Sequence, residues 1–186
     1  MSDERLLEAW RGGDAAAGQE LFRRHFDAVY WFFRNKIDTG ADDLAQQTFL
    51  DLVRNRDAVG SRHSFRAYLF AVARSNLIDA LRDRAPDRII DPMQSSVLDL
   101  GGSSSSIIDS RRAQAKLLSA LRRIPFELQT IVELRYFEQL TVRELAEVLD
   151  ISEDTVRSRL KRALGLLRES LGSSDPFADP SDDELN

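Results

Sequence analysis

The 186-residue chain contains no cysteine, so it has no disulfide, no thiolate nucleophile and no thiol redox sensor. It has no apolar run near the roughly 18 to 20 residues that a membrane-crossing helix requires. The opening MSDERLLEAW carries acids where a secretory signal needs a basic start and an apolar core, which predicts a cytoplasmic protein. There are only two histidines, His25 and His63, and no clustered His/Asp/Glu pattern. No metal, cofactor or enzymatic site is expected. Strand-like alternation of useful length is missing as well, so the expected fold class is all-α.

What is present is charge, at 31% of residues, beside an ordinary 42% hydrophobic content. The formal net charge of −5 argues superficially against a nucleic-acid partner, so its distribution matters. Residues 1–84 hold 13 basic and 13 acidic side chains, and residues 113–172 hold 10 and 9. The tail 173–186 has 5 acids and no basic residue. The acidity therefore sits in the tail, and local faces of the folded parts decide what they bind.

Composition divides the chain into four stretches. Residues 1–84 and 113–172 read as two small helical domains. Residues 85–112, with two prolines, paired glycines and four consecutive serines, read as a flexible linker in which Ile89, Ile90, Val97, Leu98, Ile107 or Ile108 can dock locally. The tail 173–186 is polar and acidic and is expected to be disordered. In the first domain, Leu6, Leu7 and Trp10 mark one helix. Asp14 caps a second, whose apolar positions are Leu21, Phe22, Phe26, Val29, Tyr30, Phe33 and Ile37. Further helices are expected over 42–55 and 65–84. In the second, Leu117, Leu118, Leu121 and Ile124 mark a helix ended by Pro125, and FELQTIVELRYFEQ reads as the next.

The most informative segment is TVRELAEVLDISEDTVRSRLKRAL, residues 141–164. Thr141 and Glu144 form a capping box at the start of one short helix. Ser152 is a good N-cap for the next, with Glu153 and Asp154 placed where the helix dipole favours acids. Val156, Leu160, Ala163, Leu164 and Leu167 recur at helical spacing, while Arg157, Ser158, Arg159, Lys161 and Arg162 point elsewhere. No acid occurs from 156 to 168. One bracing helix and one basic helix across a tight turn make a helix-turn-helix, whose second helix enters a major groove. Asp150 stands at the turn where Gly is more usual, and Asp tolerates left-handed backbone better than most residues.

The two domains in this order resemble a bacterial sigma factor of the sigma-70 family, and within it the small extracytoplasmic-function (ECF) group that retains regions 2 and 4. The resemblance is carried by DDLAQQTFLDLV (42–53), FRAYLFAVARSNLIDALRDR (65–84) and LRRIPFELQTIVELRYFEQLTVRELAEVLDISEDTVRSRLKRAL (121–164). It implies promoter-specific initiation of transcription with core RNA polymerase, through the β′ clamp helices and the β flap, with promoter DNA as the second partner and an anti-sigma factor as a candidate third. It places the polymerase contact on the 42–55 helix, where Asp42, Asp43, Gln46, Gln47, Leu50 and Asp51 are the candidates. Asp43, Gln46, Gln47 and Leu50 share a helix face at i, i+3, i+4 and i+7. It places the −10 element against the 65–84 helix and the loop before it. Candidates there are Ser61, Arg62, His63, Ser64, Arg74, Ser75 and Asn76 for base capture, with Arg82 and Arg84 for phosphate. Tyr68 and Phe70 are alternatives for stacking or core packing. For the −35 element it implies Arg157, Ser158, Lys161 and Arg162, with Thr155 and Arg159 nearby.

Two other classes fit part of the pattern. A response-regulator-type factor binding operators directly through the helix-turn-helix needs an α/β sensor domain, which the helical first block does not supply. A sigma mimic that titrates an anti-sigma factor predicts a degraded recognition helix, whereas Arg157 to Arg162 is intact.

Overall fold

The computed structural model describes residues 1–56, 64–84, 91–98 and 112–171. The described residues are helical, apart from turns and one isolated antiparallel bridge between Ser96 and Pro125. Helices α1 (Asp3–Arg11), α2 (Ala15–Arg34), α3 (Ala41–Arg54) and α4 (Phe65–Arg84) build the first block. Helices α5 (Arg112–Leu121), α6 (Phe126–Val132), α7 (Val142–Leu149) and α8 (Glu153–Leu171) build the second.

Local chemistry sets the helix ends. The Asp14 side chain accepts from the Ala16 and Ala17 amides at 2.9 and 3.2 Å, satisfying two otherwise unpaired donors at the start of α2. Gly18 lets α1 lie close on α2, since a Cβ there would come within 2.5 Å of the Trp10 indole. Helix α3 begins one residue before the expected Asp42, after Gly40 turns the chain in the left-handed conformation at φ 82°. Phe33 is fully buried, and Phe22 and Phe26 are half-buried around Phe49, with centroid distances of 4.9 and 6.0 Å. Such aromatic pairs contribute about 0.5–1.5 kcal/mol beyond their burial.

In the second block, α5 ends at Leu121 rather than running to Ile124, and Pro125 opens α6 instead of closing α5. Pro suits that place because the first helical amides have no intrahelical acceptor. The expected single helix over FELQTIVELRYFEQ is α6 followed by a π-helical turn, Glu133–Phe137, closed by the Glu138 amide on the Glu133 carbonyl at 3.1 Å. Of residues 91–98 of the expected linker only Gln94 is exposed: Val97 is buried, and the Ser95 and Pro92 carbonyls accept from the Phe126 and Glu127 amides, each at 3.0 Å. Residues 85–90 and 99–111 of that linker and the acidic tail lie outside the described residues, and Arg112 already opens α5.

The two blocks meet. Their buried side chains form one continuous cluster, and α4 packs against α7. Lys36 at the end of α2 forms a buried ion pair with Glu133, and Arg122 donates to the Asn35 and Arg34 carbonyls at 2.7 and 3.0 Å. An arrangement of this kind joins residues almost a hundred positions apart, and no periodicity within either block anticipates it.

Candidate functional site

Helices α7 and α8 form the helix-turn-helix. The Thr141 hydroxyl accepts from the Glu144 amide at 3.2 Å, and the Glu144 carboxylate accepts from the Thr141 amide at 2.8 Å, completing the capping box. Asp150 closes α7 at φ 53°, ψ 50°, the left-handed conformation that the turn demands, and the Ile151 amide donates to the Ala146 carbonyl at 3.1 Å. Ser152 then caps α8 through the Thr155 amide at 3.2 Å. Val156, Leu160, Ala163, Leu164 and Leu167 are buried, which fixes the rotation of α8.

That rotation leaves Ser158, Lys161 and Arg162 exposed. Arg157 is partly exposed and reaches back to Glu153 and Asp154 at 3.1 and 3.2 Å. Both pairs are solvent-accessible and worth little, so Arg157 is free to exchange them for another anion. Thr155 shares its hydroxyl with Ser152 at 2.8 Å. Arg159 is turned inward and meets Glu127 at 3.4 Å.

On α3, Asp42, Asp43, Gln46 and Leu50 are exposed, and Leu50 keeps half of its surface in water. Val53, which the sequence reading left out, is equally exposed one turn further on. It extends the apolar part of the face at i+3 from Leu50. Gln47 and Asp51 are engaged sideways: Gln47 donates to Asp51 at 2.8 Å, and Asn76 of α4 donates to Asp51 at 3.1 Å and to Thr48 at 3.2 Å. Asn76 thus braces α4 on α3.

The α4 candidates are distributed differently. Ser75 is exposed; Arg82 is exposed beside Asp79; Arg84 donates to the Thr39 carbonyl at 2.7 Å. Ser64 caps α4 and donates to Glu144 at 2.6 Å, and Arg74 makes two hydrogen bonds to Glu127, at 2.8 and 3.1 Å. Phe70 is fully buried against Phe32, and Tyr68 is half-buried. Core packing is the role of Phe70. Ser61, Arg62 and His63 lie outside the described residues. Among the described residues no group of three or more His, Asp or Glu side chains has the geometry to hold a metal ion.

The Sigma-70 region 2 family matches residues 21–86, and Sigma-70, region 4 matches residues 114–167. The RNA polymerase sigma factor CarQ of Myxococcus xanthus is 30% identical over 169 residues, covering 89% of this chain and 95% of CarQ. The chain belongs to the sigma-70 family, in its ECF group. The ECF RNA polymerase sigma factor SigL of Mycobacterium tuberculosis is likewise 30% identical, over 86% of this chain and 93% of SigL. Among solved structures, CnrH in complex with the cytosolic domain of CnrY aligns at a TM-score of 0.69 and 25% identity, covering 92% of this chain and 98% of that one. The sigma factor RpoE of Bartonella quintana, solved with the anti-sigma factor NepR, shares the fold at a TM-score of 0.66 and 17% identity, over 84% and 97% of the two chains. As an ECF sigma factor the chain binds core RNA polymerase and directs promoter-specific transcription initiation.

Proposed function

We propose that this sigma factor divides its work among three faces. The outer face of α3, with Asp42, Asp43, Gln46 and Leu50 and the flanking Gln47 and Asp51, contacts the clamp helices of the polymerase β′ subunit. An acid-bearing polar surface around an apolar anchor complements a basic partner helix. The second block contacts the β flap and reads the −35 element with α8. There Arg157, Ser158, Lys161 and Arg162 meet the major groove, while Thr155 and Arg159 flank it. The loop from Ser61 to Ser64 together with Arg74, Ser75 and Asn76 engages the −10 element, with Arg82 and Arg84 on phosphate. The domain limits are 1–84 and 113–172, with 85–112 as the connection and 173–186 as the acidic tail.

The observation that carries this reading is the basic exposed face of α8, free of acids from 156 to 168, held in one rotation by five buried apolar residues and presented after a braced turn. A bidentate arginine on guanine supplies about 1–3 kcal/mol of discrimination, enough to select a promoter element with two or three such contacts. Lys161, as a point charge, is better suited to phosphate. The protein acts in the cytoplasm as a non-enzymatic initiation factor. An anti-sigma factor is a further partner by analogy with CnrH and RpoE, whose solved structures contain CnrY and NepR.

The test is in vitro transcription with core polymerase on a randomised promoter library. Enrichment of paired −35 and −10 motifs supports the assignment. Sequence-selective DNA binding with no initiation points instead to a regulator that binds operators directly.

A further inference from the structure

The packed face of α3 carries one polar residue. Its buried positions are Ala41, Ala45, Thr48, Phe49 and Leu52, and the buried side chains of α4 are all apolar. Apolar burial is non-directional, so by itself it lets two packed helices roll or slide slightly on one another. Hydrogen bonds depend on angle as well as distance, and they remove that freedom.

Asn76 supplies such bonds between α4 and α3. Its side-chain amide donates to the Thr48 hydroxyl at 3.2 Å and to the Asp51 carboxylate at 3.1 Å. The Thr48 hydroxyl gives its own proton to the Leu44 carbonyl at 2.8 Å, and a carboxylate only accepts. Both partners therefore require the NH2 end of Asn76, which sets the orientation of the amide. Gln47 donates to the other Asp51 oxygen at 2.8 Å, and Arg54 reaches it at 3.5 Å. With both Asp51 oxygens engaged, Asp42, Asp43, Gln46 and Leu50 are the exposed part of the surface assigned to polymerase. Every member of the network belongs to the first block, so it does not depend on the seam where the two blocks meet.

Asn76 directly follows Arg74 and Ser75, the α4 residues assigned to the −10 element. Successive residues on a helix point about 100° apart, so pinning Asn76 to α3 fixes where its neighbours are aimed. We propose that Asn76 is a positioning residue rather than a DNA contact: with Thr48 and Asp51 it locks the rotation of α4 on α3, so that the helix held by polymerase aims Ser75 and Arg74 at the −10 element. The inference rests on the assignment of α3 to polymerase and α4 to DNA made above, and it narrows the role given there to Asn76.

The test is an exchange of the two partners, read as promoter opening by saturating holoenzyme through the permanganate reactivity of −10 thymines. Asn76→Asp sets two carboxylates face to face and loses a charge-assisted bond, which lowers opening at least about tenfold while polymerase still binds. Adding Asp51→Asn restores a donor opposite an acceptor with the direction reversed, and opening recovers to within about threefold of wild type. The base preference at each −10 position, taken from the promoter library, stays that of wild type in the exchanged pair. A pair that folds and binds polymerase yet remains as impaired as Asn76→Asp overturns the proposal. So does a recovered pair that selects a different −10 base, since Asn76 then reads DNA itself. Should Asn76→Asp fail to fold, Thr48→Val keeps the shape of the side chain and removes one neutral acceptor. Opening then falls about two- to tenfold with polymerase affinity unchanged, and wild-type opening overturns the proposal. Arg74→Ala and Ser75→Ala separate the two levels of inference. If neither lowers opening, the assignment of α4 to the −10 element has failed; if both do and the exchanged pair stays impaired, only the positioning role has.

Discussion

The two helices assigned to promoter DNA are presented in opposite ways. On α8, Ser158, Lys161 and Arg162 stand in solvent and Arg157 is tied only to exposed acids of its own helix. On α4, Ser64 and Arg74 are bonded to glutamates of the other block and Asn76 to α3. Apart from Arg159, which is held by Glu127, the α8 candidates are thus accessible, while much of the surface assigned to the −10 element is covered. The difference follows from packing: α8 buries one stripe within its own block, whereas α4 packs against α2, α3 and α7 and has little surface left.

The sharpest way to break this comparison is on α8. Arg157→Ala with Arg162→Ala should abolish promoter-dependent transcription while core polymerase still co-purifies with the factor. Two lost arginine contacts amount to about 2–6 kcal/mol if independent, or a fall of more than about thirtyfold. Wild-type promoter activity in the double variant would remove α8 from the −35 assignment.

The next largest effect probes what covers α4. Burial holds the Lys36 ammonium below its ordinary pKa, against the opposing pull of Glu133. Glu133→Gln removes that partner and leaves a buried unpaired charge, a loss of about 3–5 kcal/mol if the seam stays shut. Opening rehydrates Lys36 and limits the loss, so small-angle scattering should report expansion alongside a modest fall in Tm. A folded-state pKa below the open-state value means that the open chain binds more protons, so closure strengthens as pH rises. Arg122, Glu138 and Glu133 are the other charges acting on Lys36, and only Glu133 changes in the variant. Compaction of Glu133→Gln should therefore recover on raising the pH toward the ordinary lysine value of about 10.4, more than in wild type. An unaltered radius of gyration at every pH would argue against a charge-controlled seam.

The α3 face supplies a third arm, since it is as exposed as α8 yet is assigned to protein rather than DNA. Gln46→Lys with Leu50→Lys sets two cations against a basic partner and removes the apolar anchor. Polymerase affinity should fall by about tenfold or more, because like charges brought together at an interface cost several kcal/mol. Binding of the free chain to DNA should be unaffected. Co-purification at the wild-type level would sink the α3 assignment.

Local features were legible in the sequence because local forces fix them. The caps at Asp14, Thr141 and Ser152, the rotation of α8 and the left-handed Asp150 all follow from residues within one helical turn of one another. The same reasoning carried α5 up to Pro125, whereas it ends at Leu121; the next helix starts at Phe126 as expected. It also missed the π-helical turn, whose widened backbone brings the half-exposed Phe137 beside Trp31 at a cleft of about 270 Å³ on the seam. Least legible were Glu127 and Glu133. As acids on an amphipathic helix they look like solvated surface; packing within the second block pairs Glu127 with Arg159, and docking of the first block adds Arg74 to Glu127 and Lys36 to Glu133. Long-range ion pairing leaves no periodic trace, so this part of the site needed coordinates.

The smallest expected effect concerns Asp150, and it separates stability from recognition within the exposed head. An L-residue at φ 53° costs roughly 1–2 kcal/mol relative to right-handed backbone, less for Asp than for bulkier residues. Glycine removes that cost but gives up about 0.5–1 kcal/mol of chain entropy. Asp150→Gly should therefore stabilise the chain by less than about 1 kcal/mol, equal to an upward Tm shift of at most a few degrees. Asp150 is exposed and reaches no basic residue by an ion pair among the described residues, so its charge contributes nothing to holding the turn. If promoter affinity in the holoenzyme instead rises several-fold while Tm stays fixed, the carboxylate was repelling DNA phosphate at the mouth of the groove. In that case Asp150 tunes recognition rather than the turn.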